Sequence, residues 1–224
     1  MLERWETREG IGWWMSQEQA ESREAGVDRL LAFSDGVFAI AITLLVLDLH
    51  EPTVAHGLLG ALLKEWPAYL SYALSFLIIG IIWAQHHAMF RSIQRTDQLF
   101  LLINLVFLMW IAVLPFPTAL LAKYLDSPTE QQTAISIYTG AFVIGSALFN
   151  LLWRYAIHSD RLLGEQVDRR AVRKTTRSYV AGPILYLVDF ALSYISPAGS
   201  IALFFLSALF YAIAPLPMFD RWLA

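Results

Sequence analysis

Six stretches of the sequence are apolar over enough residues to cross a lipid bilayer. A transmembrane helix needs about 20 mostly apolar residues, and in hydrocarbon only helices and closed barrels satisfy their backbone hydrogen bonds. The stretches lack the alternation of apolar and polar residues that is typical of strands. The sequence therefore predicts an all-α membrane protein with six transmembrane helices per subunit. The spans are predicted at residues 30–49, 66–87, 99–122, 133–157, 178–196 and 199–216.

Composition excludes a soluble protein. Charged residues make up 16% of the chain, whereas soluble domains carry about 25%. The polar groups available would not cover a surface in contact with water. The chain has no Cys, which removes disulfides and thiolate metal sites, and its net charge of -3 gives no reason to expect a nucleic-acid partner. We expect membrane lipid around the protein and no resident metal or cofactor.

Basic residues are distributed unevenly between the two sides that six spans create. All Lys and Arg residues except Lys64 and Lys123 lie in segments that would share one side. Because the cytoplasmic side keeps the positive charge, both termini are predicted to be cytoplasmic. The predicted organisation is an interfacial or cytoplasmic segment at residues 1–28, a six-helix transmembrane domain at 29–217 and a short cytoplasmic tail at 218–224.

Pro and Gly residues mark two helix ends. Pro115 and Pro117 are expected to kink or end the third span. The turn signal at residues 196–199 predicts a tight hairpin between the antiparallel fifth and sixth spans. The basic stretch at residues 161–177 is expected to be helical and solvated.

The first span carries ionisable groups at both ends, which is costly in hydrocarbon unless they are paired or wet. It opens with Arg29, Ser34 and Asp35 and closes with Asp48. One interpretation is that Ser34 and Asp35 cap the start of the helix, with Arg29 as a neighbouring counter-charge. The other is that they belong to a buried polar network with residues of other spans.

The second and third spans supply candidate partners for such a network at the same predicted depth. These candidates are Trp83, Gln85, His86, His87 and Asn104. Two adjacent histidines could also suggest a metal site, but neighbouring residues on a helix point about 100° apart and make a poor chelate. A hydrogen-bonded network is therefore the better interpretation, with a histidine that either stays neutral or couples pH to conformation.

An apolar stripe follows in the same span. Ile40, Leu44 and Leu47 lie at helical spacing, with Thr43 beside them. Such a stripe faces lipid in many membrane helices, but a ring of these side chains around an axis could also gate by dewetting. The chain contains no GlyTyrGly filter sequence, so in a channel the side chains would have to select the ion.

Asp189 is a further ionisable residue, in the fifth predicted span. It could pair with Arg177 or face the protein interior, and the sequence leaves both open.

The first span resembles a known signature. Arg29 followed by Phe33, Ser34, Asp35 and the apolar run at residues 36–47 is similar to the first-helix pattern of the transmembrane protein 175 family of potassium channels. The histidine pair after Trp83, Asn104, the run at residues 115–118 and the six-span layout resemble this family too. The resemblance covers about residues 29–216.

The resemblance implies a prokaryotic homotetramer in the plasma membrane. Four first helices would surround the pore, without a re-entrant pore loop, and monovalent cations would permeate with a modest preference for K⁺ over Na⁺. The constriction of the family falls on Ile40, with Leu44 and Leu47 extending it toward the extracellular side and Thr43 as its hydroxyl. The network that would hold the pore helix to its neighbours comprises Arg29, Phe33, Ser34, Asp35, Trp83, His86, His87 and Asn104.

Two other functions compete with a potassium channel. A proton-conducting pathway or proton-coupled transporter would use Asp35, His86 and His87 as relay groups. A membrane enzyme would need a nucleophile with its base or a metal set, and no HisGluxxHis or GlyxSerxGly motif is present. The sequence therefore predicts no enzyme.

Overall fold

The computed structural model describes residues 25–52, 57–158, 162–163 and 169–213, and this part of the chain folds into helices. The all-α prediction is confirmed there, apart from an isolated antiparallel bridge between Ile93 and Leu163. The first helix, α1, is Ala25–Asp48, and its last four residues form a 3-10 turn. The others are α2 (Leu58–Lys64), α3 (Trp66–Phe90), α4 (Gln98–Val113), α5 (Pro115–Tyr124), α6 (Gln131–Ile157), α7 (Arg169–Ser193) and α8 (Pro197–Ile213).

Four segments of the described chain are long and apolar enough to cross a membrane, judged by length and composition. They are α1, α3, α4 together with α5, and α6, and they match the first four predicted spans. The first half of α7 is basic, and the apolar part of α8 is shorter than the other spans. The fifth and sixth spans therefore stay predictions. Residues 1–24 and 214–224, which include most of the predicted N-terminal segment and the whole tail, lie outside the described residues.

The predicted break in the third span is confirmed. The helix α4 ends at Val113 and α5 begins at Pro115, with Leu114 between them. Proline has no N–H to donate to the preceding turn, and its ring suits the first position of a new helix.

The predicted hairpin between the last two helices is present, but the prediction of its turn at residues 196–199 is wrong. The helix α7 ends at Ser193 and α8 already begins at Pro197, so the turn lies at residues 194–196. Ser196 is the cap of α8, because its Oγ accepts a hydrogen bond from the backbone N–H of Gly199 at 3.1 Å. Within the basic stretch, residues 169–177 are helical and form the start of α7.

The helix α6 lies at the centre of the bundle and packs against α4, α5, α7 and α8. Its side chains Tyr138 and Trp153 are among the largest that are fully buried. At one end of the bundle the α3–α4 and α6–α7 connections meet, since the backbone N–H of Gln94 donates to the carbonyl of Leu162 at 2.9 Å. These two connections thus lie on the same side, as the charge distribution requires.

A buried amide compensates for the proline inside α7. Pro183 cannot donate to the carbonyl of Tyr179, four residues earlier. The side-chain amide of Asn150 on α6 donates to that carbonyl at 2.9 Å, and it also donates to the backbone carbonyl of Ser146 at 3.0 Å. An unpaired carbonyl in hydrocarbon is costly, so this contact both satisfies α7 and ties it to α6.

We predict that Asn150→Ala destabilises the protein by about 1–3 kcal/mol, because it removes the side-chain donor to the buried carbonyl of Tyr179. The measurement is unfolding by a denaturing detergent in mixed micelles. In a Pro183→Ala background the new N–H at position 183 can bond this carbonyl, and the cost of Asn150→Ala should fall well below its wild-type value. Equal costs in the two backgrounds would show that the amide does not compensate for the proline.

Candidate functional site

The helix α1 has two distinct faces. One is buried and follows helical spacing at residues 27, 30, 34, 38, 41 and 45. The other is exposed and apolar, and it includes Phe33, Ile40, Leu44 and Leu47. The two faces present different chemistry, since the buried face carries polar contacts to α3 and α4 and the exposed face carries hydrocarbon.

A chain of three buried side chains joins α1, α4 and α3. Ser34, Asn104 and His86 are all fully buried. The amide nitrogen of Asn104 donates to Ser34 Oγ at 3.1 Å, and Asn104 Oδ1 lies 2.9 Å from His86 Nε2. Three helices are therefore held together at one depth of the bundle by two hydrogen bonds.

The Ser34 hydroxyl determines the direction of both hydrogen bonds in this row of three side chains. The Ser34 hydroxyl donates to the carbonyl of Leu30 at 2.8 Å, so its oxygen is an acceptor toward Asn104. Asn104 then donates through its nitrogen and accepts through Oδ1, which requires a proton on His86 Nε2. The structure thus selects the Nε2–H form of this imidazole.

Aromatic rings enclose His86 on its other sides. The imidazole stacks on Phe107 at a centroid distance of 5.5 Å and an angle of 12°, and it also contacts Phe38 and Phe90 at 5.5 and 4.6 Å. Its Nδ1 is buried without a hydrogen-bond partner. A second proton there would be a donor with no acceptor in an apolar cage, so the geometry fits the neutral imidazole.

Asp35 makes a second set of contacts, nearer to the surface. Trp83 Nε1 donates to Asp35 Oδ1 at 2.8 Å, and His87 Nδ1 lies 3.7 Å from Asp35 Oδ2, beyond hydrogen-bond distance. The side chains of Asp35 and His87 are 34% and 24% exposed in the single chain, although His87 Nδ1 itself is buried, whereas the whole His86 side chain is buried.

The helix-capping interpretation of Ser34 and Asp35 is wrong. The helix α1 begins at Ala25, and both residues lie more than two turns inside it. Arg29 donates from Nε to the carbonyl of Ala25 at 3.2 Å, and it is not paired with Asp35.

Two other predicted members lie apart from the network. Phe33 is 53% exposed, on the same face of α1 as Ile40. Gln85 lines a cavity between α3, α6 and α7, and only its backbone carbonyl has a described contact, from the Tyr179 hydroxyl at 3.4 Å.

The predicted apolar stripe lies on the exposed face of α1. Ile40 is 61% exposed and Leu47 67%, with Leu44 exposed between them. The Thr43 hydroxyl points back to its own helix, where it donates to the carbonyls of Ala39 and Ile40. The surface of this apolar stripe is therefore mostly hydrocarbon.

The adjacent histidines diverge. His86 points to Asn104 and His87 points to Asp35. The described residues contain no group of three or more His, Asp or Glu side chains that could hold a metal ion.

Sequence reasoning missed a second buried polar cluster, which joins α3, α5 and α6. Ser75 Oγ lies 2.8 Å from Thr118 Oγ1 and 2.9 Å from the Tyr138 hydroxyl, and all three side chains are fully or almost fully buried. Hydroxyls inside apolar spans were the available signal, but they are common in membrane helices and do not reveal their partners.

Several known proteins are similar to this chain over most of its length. The family model described as "Endosomal/lysosomal potassium channel TMEM175" matches residues 29–115. A potassium channel of Chamaesiphon minutus is 45% identical over 88% of this chain and 97% of its own length. A potassium channel of Streptomyces collinus is 38% identical over 86% of this chain and 95% of its own.

Two further comparisons concern an animal relative and a solved structure. The endosomal/lysosomal proton channel TMEM175 of Gallus gallus is 33% identical over 81% of this chain, which corresponds to 36% of that protein. The crystal structure of a lysosomal potassium-selective channel TMEM175 homolog from Chamaesiphon minutus superposes with a TM-score of 0.77, at 42% identity, over 85% of this chain and 98% of that one. These relatives are channels, which confirms the prediction that the chain is not an enzyme.

Proposed function

The chain belongs to the TMEM175 family, and we propose that it is a potassium-permeable channel through which monovalent cations cross the membrane passively. The observation that carries this proposal is the exposed apolar face of α1, which directly follows the polar contacts of Ser34 and Asp35. The potassium channels of two bacteria that align with nearly the whole chain support the choice of ion.

In the proposed channel, four copies of the chain assemble as a homotetramer with their α1 helices around the pore. The exposed face of α1 then lines the pore, and its buried face binds α3 and α4 of the same subunit. Ile40 forms the constriction, and Leu44 and Leu47 extend it toward the extracellular side. Exposure of Ile40 and Leu47 above 60% in the single chain supports this arrangement, since a side chain that lines a pore must be free of its own subunit.

Selectivity in this proposal comes from dehydration. The apolar side chains of the ring give an entering ion no oxygen to replace its hydration shell. Thr43 donates its proton to carbonyls of its own helix, so its oxygen is the one side-chain acceptor beside the ring. A larger monovalent cation gives up water at lower cost than a smaller one, so K⁺ passes more readily than Na⁺. The preference for K⁺ is modest, since no ring of carbonyl oxygens replaces the water that the ion loses. The permeant K⁺ is cargo, and the channel has no resident cofactor.

The protein is an integral membrane protein, and we propose that it lies in a prokaryotic plasma membrane with six spans. Both termini are cytoplasmic in this arrangement. The α3–α4 and α6–α7 connections meet at one end of the bundle, and together with the first turns of α7 they hold eight of the 16 Lys and Arg residues, in agreement with the positive-inside rule.

Proton conduction is the second candidate, and one geometric observation favours it. Asp35 and His87, two of the predicted relay groups, are partly exposed and lie 3.7 Å apart. Animal relatives named proton channels support this candidate. His86 is a poor relay group in it, since its Nδ1 faces an apolar cage without a partner.

The first test is the reversal potential of the purified protein in planar bilayers, with K⁺ on one side and Na⁺ on the other. We expect unitary currents whose reversal potential shifts toward the potassium equilibrium potential. Currents that follow only an imposed pH gradient would instead favour the proton pathway. Saturable uptake without unitary currents would indicate a transporter and exclude the channel.

We predict that Ile40→Asn lowers the K⁺ over Na⁺ permeability ratio, because an amide in the constriction retains water around the ion. The ratio is measured from reversal potentials under bi-ionic conditions. Ile144→Asn is the matched control, since the same change is made at an exposed position of α6. An unchanged ratio in Ile40→Asn, or an equal fall in both variants, would count against Ile40 as the constriction.

We predict that Asp35→Ala impairs tetramer assembly or gating more than selectivity. The change removes the acceptor for Trp83 Nε1 and so loosens α1 from α3 without altering the apolar stripe. Assembly is measured by mass photometry in detergent and gating by open probability. A tetramer that assembles and gates normally would refute this role. Trp83→Phe removes the same hydrogen bond from the other side, and its effect should be of the same kind.

A further inference from the structure

Asp189 on α7 is a buried carboxyl without a partner. Its side chain has no exposed surface, and neither carboxyl oxygen has a hydrogen-bond partner. The sequence predicts that Asp189 either pairs with Arg177 or faces the protein interior. It is not paired with Arg177, and its carboxyl faces the interior. The proposed pore uses α1, so this group has no part in it.

The surroundings of Asp189 lie at the junction of α6, α7 and α8. Ser200 on α8 donates to the backbone carbonyl of Asp189 at 3.0 Å. Ser193, one turn further along α7, lies 2.8 Å from Ser136 Oγ on α6 and donates to the carbonyl of Phe190. The neighbouring hydroxyls are therefore engaged elsewhere, and they join α7 to α8 and to α6 beside Asp189.

Among the described residues, the titratable groups on the helices around this carboxyl are phenols. Tyr186 lies one turn before Asp189 on α7 and lines a cavity with Tyr211 of α8. Tyr138 of α6 and Tyr186 both pack on Phe204 of α8. The two helices that pack on α7 thus contribute Tyr138 and Tyr211 to the surroundings of Tyr186, and neither phenol supplies a positive charge. A carboxylate here would be a buried charge without a counter-charge or a hydrogen bond, which proteins avoid by keeping the proton.

We propose that Asp189 is a proton-binding site closed by the α7–α8 hairpin, and that its proton leaves only when the hairpin opens to water. In the closed bundle the carboxyl is neutral. Opening separates α8 from α7, hydrates the carboxyl and allows it to ionise. Raising the pH therefore favours the open hairpin, which gives this part of the subunit a pH-dependent conformation that is independent of the ions in the pore.

The protonated carboxyl can be observed directly by infrared spectroscopy of the full chain at neutral pH. We expect a carboxylic-acid C=O stretch in the wild type that disappears in Asp189→Asn, which keeps the size of the side chain and removes the acid. Asp126→Asn is the matched control, because Asp126 is exposed and its loss should leave the band intact. A wild type without this band, or a band that survives in Asp189→Asn, would overturn the proposal.

Opening of the hairpin can be measured with a single introduced thiol, because the chain contains no Cys. Ser200→Cys places the thiol beside Asp189, and its rate of maleimide modification reports access of water to the junction. If opening releases one proton, the opening equilibrium rises roughly tenfold per pH unit. The modification rate of the Ser200→Cys variant should therefore rise more steeply with pH than that of the double variant Ser200→Cys, Asp189→Asn. In the double variant only ionisation of the thiol contributes to the rise. Equal slopes would show that proton release is not coupled to opening.

Discussion

Hydrocarbon offers no hydrogen-bond partners, so the polar groups inside this bundle depend on one another. Ser34, Asn104 and His86 are joined by hydrogen bonds across three helices. Asn150 supplies the donor that Pro183 lacks. Each of these contacts also fixes the rotation of a helix about its axis. The side chain reaches its partner in only one rotational orientation of the helix.

This constraint explains the two faces of α1. Ser34 must face α4 to accept the hydrogen bond from Asn104, and Phe38 then packs on the imidazole of His86. With that face turned inward, the helical period leaves Ile40 and Leu47 outward. A helix turned by one residue, about 100°, would bury the apolar stripe and expose Ser34. The polar contacts therefore specify which residues a neighbouring subunit or a pore can meet.

The sequence predicted what depends on local chemistry. Hydropathy located the first four spans, and proline chemistry located the break at Pro115. The turn before α8 was misplaced because proline was interpreted as part of the turn, whereas Pro197 starts the helix and Ser196 caps it. Gln85 was grouped with its neighbours by depth, but it lies on another face of α3. Depth follows from sequence position, whereas the partner of a side chain depends on how helices pack, as for Asn150 and Tyr179.

The exposure of each titratable group determines what it can do in such a bundle. Asp35 and His87 are partly exposed in the single chain and lie beside each other. His86 is buried, but a neutral imidazole needs only the acceptor that Asn104 provides. A carboxylate has no proton to donate, and neither oxygen of the buried Asp189 has a hydrogen-bond partner, so in the proposed site it keeps its proton. In the proposed site, ionisation of Asp189 therefore requires a change in helix packing, because only an opened α7–α8 hairpin brings water to the carboxyl.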